Sequence, residues 1–126
     1  MSLTNTYETT TLTWLFTGDA ATRPTTWYIG LFTSDPGETG SGTEVSGGSY
    51  ARTSVTLTVS GNLATNSGAV EFTAATASWG TITHIGVMDA STAGTMIVHA
   101  ALSASKTIDS GDVFRIPAGD LDITLD

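Results

Sequence analysis

Apolar residues recur along this chain at two spacings, one helical and confined to the start, the other alternating and spread over the rest. Leu12, Leu15 and Phe16 stand at i, i+3 and i+4 with Gly18 just beyond, the spacing of one helix face followed by a stop. Thr9, Thr10, Thr11 and Thr13 in the same stretch are β-branched and poor helix formers. The pattern predicts a short helix over Tyr7–Phe16, or else an extended arm that orders on a neighbouring subunit.

From Thr25 onward the pattern is strand after strand. Trp27-Tyr28-Ile29-Gly30-Leu31-Phe32 is apolar on both faces, which predicts a central strand covered on both sides. The polar run Ser34 to Ser49, with Pro36 and several glycines, reads as a long surface loop in which Val45 alone can reach a core. Val55, Leu57 and Val59 alternate with Thr56 and Thr58 in a half-buried strand over Tyr50–Val59, turned by Gly61-Asn62. Short strands follow at Ala69–Phe72, Ile82–Met88, Thr95–Leu102, Gly111–Ile116 and Leu121–Leu125, the last with Leu121, Ile123 and Leu125 facing inward. About seven short strands with Gly/Asp turns between them predict an all-β fold. The expected form is a single jelly-roll-like β-sandwich over residues 25–126, preceded by an N-terminal arm or short helix over residues 1–24.

The Ile82–Leu102 hairpin makes a sharper prediction. If Met88 pairs with Thr95 across the turn, His84 stands opposite His99. One face is then Ile85, Val87, Met96 and Val98, and the other Ile82, Gly86, Met88, Ile97 and Ala101. Both are apolar, whereas a solvated sheet face is polar. The second face therefore needs a cover, either the N-terminal segment or another subunit.

Composition supports this picture and narrows the function. The 126 residues provide for one domain. Lys and Glu are scarce beside Thr, Ser and Gly, which favours strands over helices. Four basic against twelve acidic residues give a net charge of -8, which opposes binding to nucleic acid or to anionic membranes. Cysteine is absent, so disulfides and thiolate metal sites are excluded. No apolar run approaches the roughly 18 residues of a membrane span. Met1–Thr13 lacks the basic and apolar regions of a secretion signal, so none is expected.

Candidate chemistry is sparse. His84 and His99 form the one pair able to hold a metal or sense pH, but no further ligand is fixed beside them by spacing. Two neutral imidazoles near an interface are the expected arrangement. Asp35, Glu38 and Glu44 do not match a calcium loop. No G-x-S-x-G, H-E-x-x-H or phosphate-binding loop occurs. Trp27 and Tyr28 read as core, and the tryptophans generally do too. Arg52 and Arg115 are surface residues or salt-bridge partners, within the chain or across an interface. No catalytic residue, metal or cofactor is expected. The subunit-interface candidates are Leu12, Leu15, Phe16, Ile82, His84, Met88, Ile97, His99, Arg52 and Arg115.

Several runs carry a resemblance. They are Leu31–Gly37 (LFTSDPG), Gly42–Arg52 (GTEVSGGSYAR), Phe72–Ala90 (containing ATASWGTITHIG), Ser110-Gly111-Asp112 and Ile116–Gly119. Together they resemble a family of small structural proteins of tailed bacteriophages, often labelled tail fibre or minor tail proteins. The resemblance covers about Trp27 to Leu125. It implies a homo-oligomeric (dimeric or trimeric) virion component whose partners are the major capsid protein or other virion proteins. The favoured role is capsid decoration on the shell exterior, where a short arm suits lattice stapling. The alternative is a tail, baseplate or fibre component, including one that binds a host glycan.

Overall fold

Tyr28–Phe32 sits inside the principal sheet, as its two apolar faces require. The computed structural model describes residues 1–125. Five strands build this antiparallel sheet: β1 (Ser2–Leu3), β2 (Tyr28–Phe32), β3 (Thr53–Ser54), β7 (Gly80–Met88) and β8 (Met96–Ile108), in the order β1-β8-β7-β2-β3. Three more, β4 (Leu57–Ser60), β5 (Leu63–Asn66) and β10 (Asp122–Thr124), form a second sheet with β5 central. The short strands β6 (Val70–Glu71) and β9 (Arg115–Ile116) pair with each other. Among the described residues there is one helix, α1 (Asn5–Phe16), which lies between β1 and β2.

The fold is all-β and sandwich-like. Ile29, Leu31, Ile82, Ile85, Val87, Val98 and Ile108 of the main sheet share one core with Val70, Phe72, Phe114, Ile116 and Leu121 from the opposing layer. Each such side chain stabilises the fold by roughly 1.5–3 kcal/mol through burial. Tyr50 packs edge-on to Trp79 at 5.4 Å between ring centroids, and Phe72 edge-on to Phe114 at 5.7 Å. The strands divide five, three and two, unlike the eight strands in two sheets of a jelly roll.

Buried Asn66 ties β5 to the turn before β10. Its Nδ2 donates to the Gly68 and Pro117 carbonyls, and its Oδ1 accepts from the Gly119 and Leu121 amides. Both donors and both acceptor sites are thereby used.

Three expected elements differ. The predicted Tyr50–Val59 strand divides between two sheets at Val55, so Val55 is buried while Val59 is exposed. At the C-terminus Leu121 is buried but Leu125 is exposed. The hairpin register also shifts: Met88 pairs with Met96, Val87 with Val98, Gly86 with His99 and His84 with Ala101.

The cause of that shift is a pair of irregularities. Near the turn, Ile97 is an extra residue on β8; further along, Leu102–Ser105 stand opposite the single Thr83. Inserted residues change which face the following side chains occupy. Met96 therefore joins Phe32 and Met88 on the outer face, while Ile82 enters the main core. His84 and His99 are not cross-strand partners.

Candidate functional site

The outer face of β2, β7 and β8 is the first surface on which a function was expected, and the chain covers it itself. Phe32, Met88 and Met96 form a small buried cluster there, with Tyr28 packed against it. The cover is the segment from Thr33 to Glu44, most of it within the Ser34–Ser49 run expected as a surface loop. Pro36 in it is fully buried, and Gly40 lies against Met96. The loop holds its own shape: the Ser41 amide donates to the Pro36 carbonyl, the Thr43 amide to Ser34 Oγ and the Gly37 amide to Asp35 Oδ1. A Cβ on Gly42 would stand 2.7 Å from the Pro36 Cα, so only glycine fits that crossing.

Polar contacts hold the loop down. Asp35 approaches His84 Nε2 at 3.8 Å, and Glu38 meets His99 Nε2 at 3.2 Å while accepting from Ser2 Oγ at 3.1 Å. The histidines thus face separate carboxylates instead of each other, and spacing along the chain gave no sign of either partner. Among the described residues no group of three or more His, Cys, Asp or Glu side chains is placed to hold a metal ion.

Arg52 is held beneath the same region and presents nothing to a partner. Its Nε and Nη2 each donate at 2.8 Å to the two oxygens of Glu44, and its Nη1 donates to the Ala90 and Ala93 carbonyls. The Tyr50 hydroxyl donates to Glu44 Oε1 at 2.7 Å and accepts from the Leu31 amide. Burial alone works to raise the Glu44 carboxyl. The hydrogen bonds from Arg52 and Tyr50, with the Arg52 charge, outweigh it and hold Glu44 below the ordinary carboxylate value. This bidentate pair locks β2, the loop and the 89–94 turn together. Arg115 instead meets Glu71 at 3.6 Å across β6 and β9 on the surface. Ile82 and Met88 are also spent inside the chain, and Ile97 packs half-buried against the main core.

The N-terminal segment behaves differently at its two ends. Ser2 and Leu3 pair with His99 and Val98 as the sheet edge. Thr4 then turns the chain outward: its hydroxyl donates to the Met96 carbonyl at 2.6 Å and its amide to the Ile97 carbonyl. The threonine-rich helix satisfies its hydroxyls on itself, Thr10 to the Thr6 carbonyl and Thr11 to the Tyr7 carbonyl. The Tyr7 hydroxyl donates to Asp89 at 2.8 Å. Burial, then that hydrogen bond and the Asp89 charge, push the Tyr7 phenol up to about 12.

Beyond Thr11 the helix is bare. Leu12 is 57% exposed, Trp14 66%, Leu15 53% and Phe16 77%, and no residue of α1 is buried. Leu12, Leu15 and Phe16 were expected at an interface and remain open on the surface. Trp14, expected in the core, joins them. Its position off the Leu12–Leu15–Phe16 spacing is the signal that could have separated it from a single apolar stripe. Beside Trp14 lies a cleft of about 410 Å³ between the helix and Ala21–Pro24.

No curated protein matches the chain. A family model described as "Podophage GP4 fiber I protein gp80" matches residues 2–124. That span includes the bare helix as well as the sandwich. This chain belongs to the podophage GP4 fiber I protein gp80 family and is a structural protein of a phage virion.

Proposed function

We propose that the chain is a component of the tail-fibre apparatus, a compact module that works by packing against other virion proteins and not by catalysis. The observation that carries this is the match of a fibre-protein family to residues 2–124. The structure supports the manner of action: a large apolar surface is left open on the helix, and the titratable side chains described above serve in contacts that brace the fold. A single compact domain suits a fibre tip or adaptor better than a long shaft, which needs heptads or repeats.

Capsid decoration, with the major capsid protein as partner, was the role first expected from the sequence. It now stands second, because no feature of the fold favours a shell lattice over a fibre. Fractionating virions into heads and tails, followed by identification of this chain, tests the proposal. The chain is expected with tails. Its presence in purified heads and absence from tails would overturn the fibre placement in favour of decoration.

A further inference from the structure

We infer that the bare end of α1 joins copies of this chain head to tail into a closed ring of three or more. Leu12 and Phe16 are four residues apart and share one side of the helix. Trp14 is two residues from each, which at about 100° per residue puts it on roughly the opposite side. Phe16, the most exposed of the four, is therefore an apolar projection on one side. The cleft walled by Tyr7, Thr11, Trp14, Ala21 and Pro24 opens on the other. A cavity of roughly 150 Å³ holds a benzene ring, so a cleft of about 410 Å³ has room for a phenylalanine side chain.

A projection and a recess on opposite sides of one element do not suit a twofold pair, in which the same patch meets itself. They suit a contact in which each copy gives its projection to one neighbour and its recess to the next. Such contacts close into rings where the rotation between neighbours closes, and run on as open filaments where it does not; a fibre component kept to a defined copy number requires the closed form.

That one chain carries both the projection and the recess points to a second copy as the occupant, and charge permits it at this surface. The chain carries a net charge of -8, so its copies repel over most of their surface. From Thr9 to Gly18 there is no charged residue, and there two copies meet at least electrostatic cost. A fully exposed aromatic presents roughly 150–250 Å², so Trp14, Phe16 and the two leucines together offer on the order of 500 Å² of apolar surface. A stable interface buries about 1,600 Å² in total, a little over half of it apolar. One such contact is therefore weak. Ring closure gives every copy two contacts and makes the second intramolecular.

The inference rests on reading the chain as an assembly protein, but it fails separately from the fibre placement. A ring-forming chain found in heads would overturn only the placement; a monomeric chain found in tails would overturn only the ring.

The test is native mass spectrometry and sedimentation velocity of the full chain, from about 1 to 100 µM. Wild type is expected as one closed species of three or more copies. Phe16→Ala removes the projection and Trp14→Ala removes a wall of the recess, each weakening association about a hundredfold. Mixing the two variants restores one intact contact, so a one-to-one dimer, weaker than the ring, appears toward 100 µM, where each variant alone stays monomeric. Both side chains are exposed, so thermal melts by circular dichroism confirm that the variants remain folded. A monomeric or dimeric wild type, variants that still form the ring, or a mixture that stays monomeric would each overturn the inference.

Discussion

The outer face of β2, β7 and β8 and the last turn of α1 are both apolar; the sequence marked the hairpin face as needing a cover and Leu12, Leu15 and Phe16 as candidates for an interface. The outer face has one within the chain: the Thr33–Glu44 loop lies over Phe32, Met88 and Met96 and is held by Asp35, Glu38 and Glu44. The helix end has none, and Leu12, Trp14, Leu15 and Phe16 stand more than half exposed. The difference lies in tethering. The loop leaves and returns to a rigid sheet, so closing it costs only a short chain segment. The helix is anchored at its start by Thr4 and Tyr7 and runs past the last of those contacts. An apolar surface therefore says that something must pack on it, and the neighbouring chain says whether that something is already present.

The sharpest way to break this comparison is to remove the same kind of residue from both surfaces. Phe32→Ala should cost about 3–5 kcal/mol, because a buried ring leaves a cavity. Phe16→Ala should change the stability of the isolated chain by no more than about 0.5 kcal/mol. Urea unfolding of both variants reads this directly, and equal losses would show that the helix end is packed.

Next in size is the support beneath the loop. Glu44→Ala leaves the Arg52 guanidinium without its carboxylate and should cost about 3 kcal/mol, in the range for breaking a buried pair. The pH dependence has a definite sign. Because the folded carboxyl lies below the ordinary 4.5, its contribution is fully present above that value and is lost as pH falls through the lowered one. Stability profiles of wild type and Glu44→Gln should therefore converge in acid. Parallel profiles down to the acid transition would remove Glu44 from the account.

How much of this was legible in the sequence follows the range of the contacts. The covered strand Tyr28–Phe32, the Gly61-Asn62 turn and the two long strands around the 89–94 turn were readable, because alternation is local. The hairpin register was not. Ile97 and Thr83 mark the irregularities, and neither residue type signals an insertion; the demand of Val98 for the core and of Met96 for the loop fixes them. The covering loop was hidden for the same reason: a polar run with one proline gives no sign that Pro36 will be buried. The helix was readable as a spacing, beginning two residues earlier than expected at Asn5. Its exposure was not readable, because whether a stripe is covered depends on the fold around it.

A smaller effect sharpens the anchored end of the helix. Tyr7→Phe removes the hydrogen bond to Asp89 and should cost about 1 kcal/mol, read as faster amide exchange in α1. In wild type, ultraviolet titration should find the Tyr7 phenol ionising near 12. Its raised value means that the neutral form contributes stability fully below 10.0, lost as pH climbs through about 12. At the bottom of the scale, Arg115→Ala removes an exposed pair with Glu71 and should alter the urea midpoint by the equivalent of about 0.5 kcal/mol or less. A larger loss would mean that this surface pair supports the fold as Arg52 does.

The central claim is that one apolar surface is closed by the chain and the other by the virion. Hydroxyl-radical footprinting of the free chain and of intact particles, read by mass spectrometry at each side chain, measures both at once. Phe32, Met88 and Met96 should be protected in both samples, whereas Trp14 and Phe16 should be modified in the free chain diluted until it is monomeric and protected in the particle. Trp14 and Phe16 modified equally in particle and free chain would contradict the account.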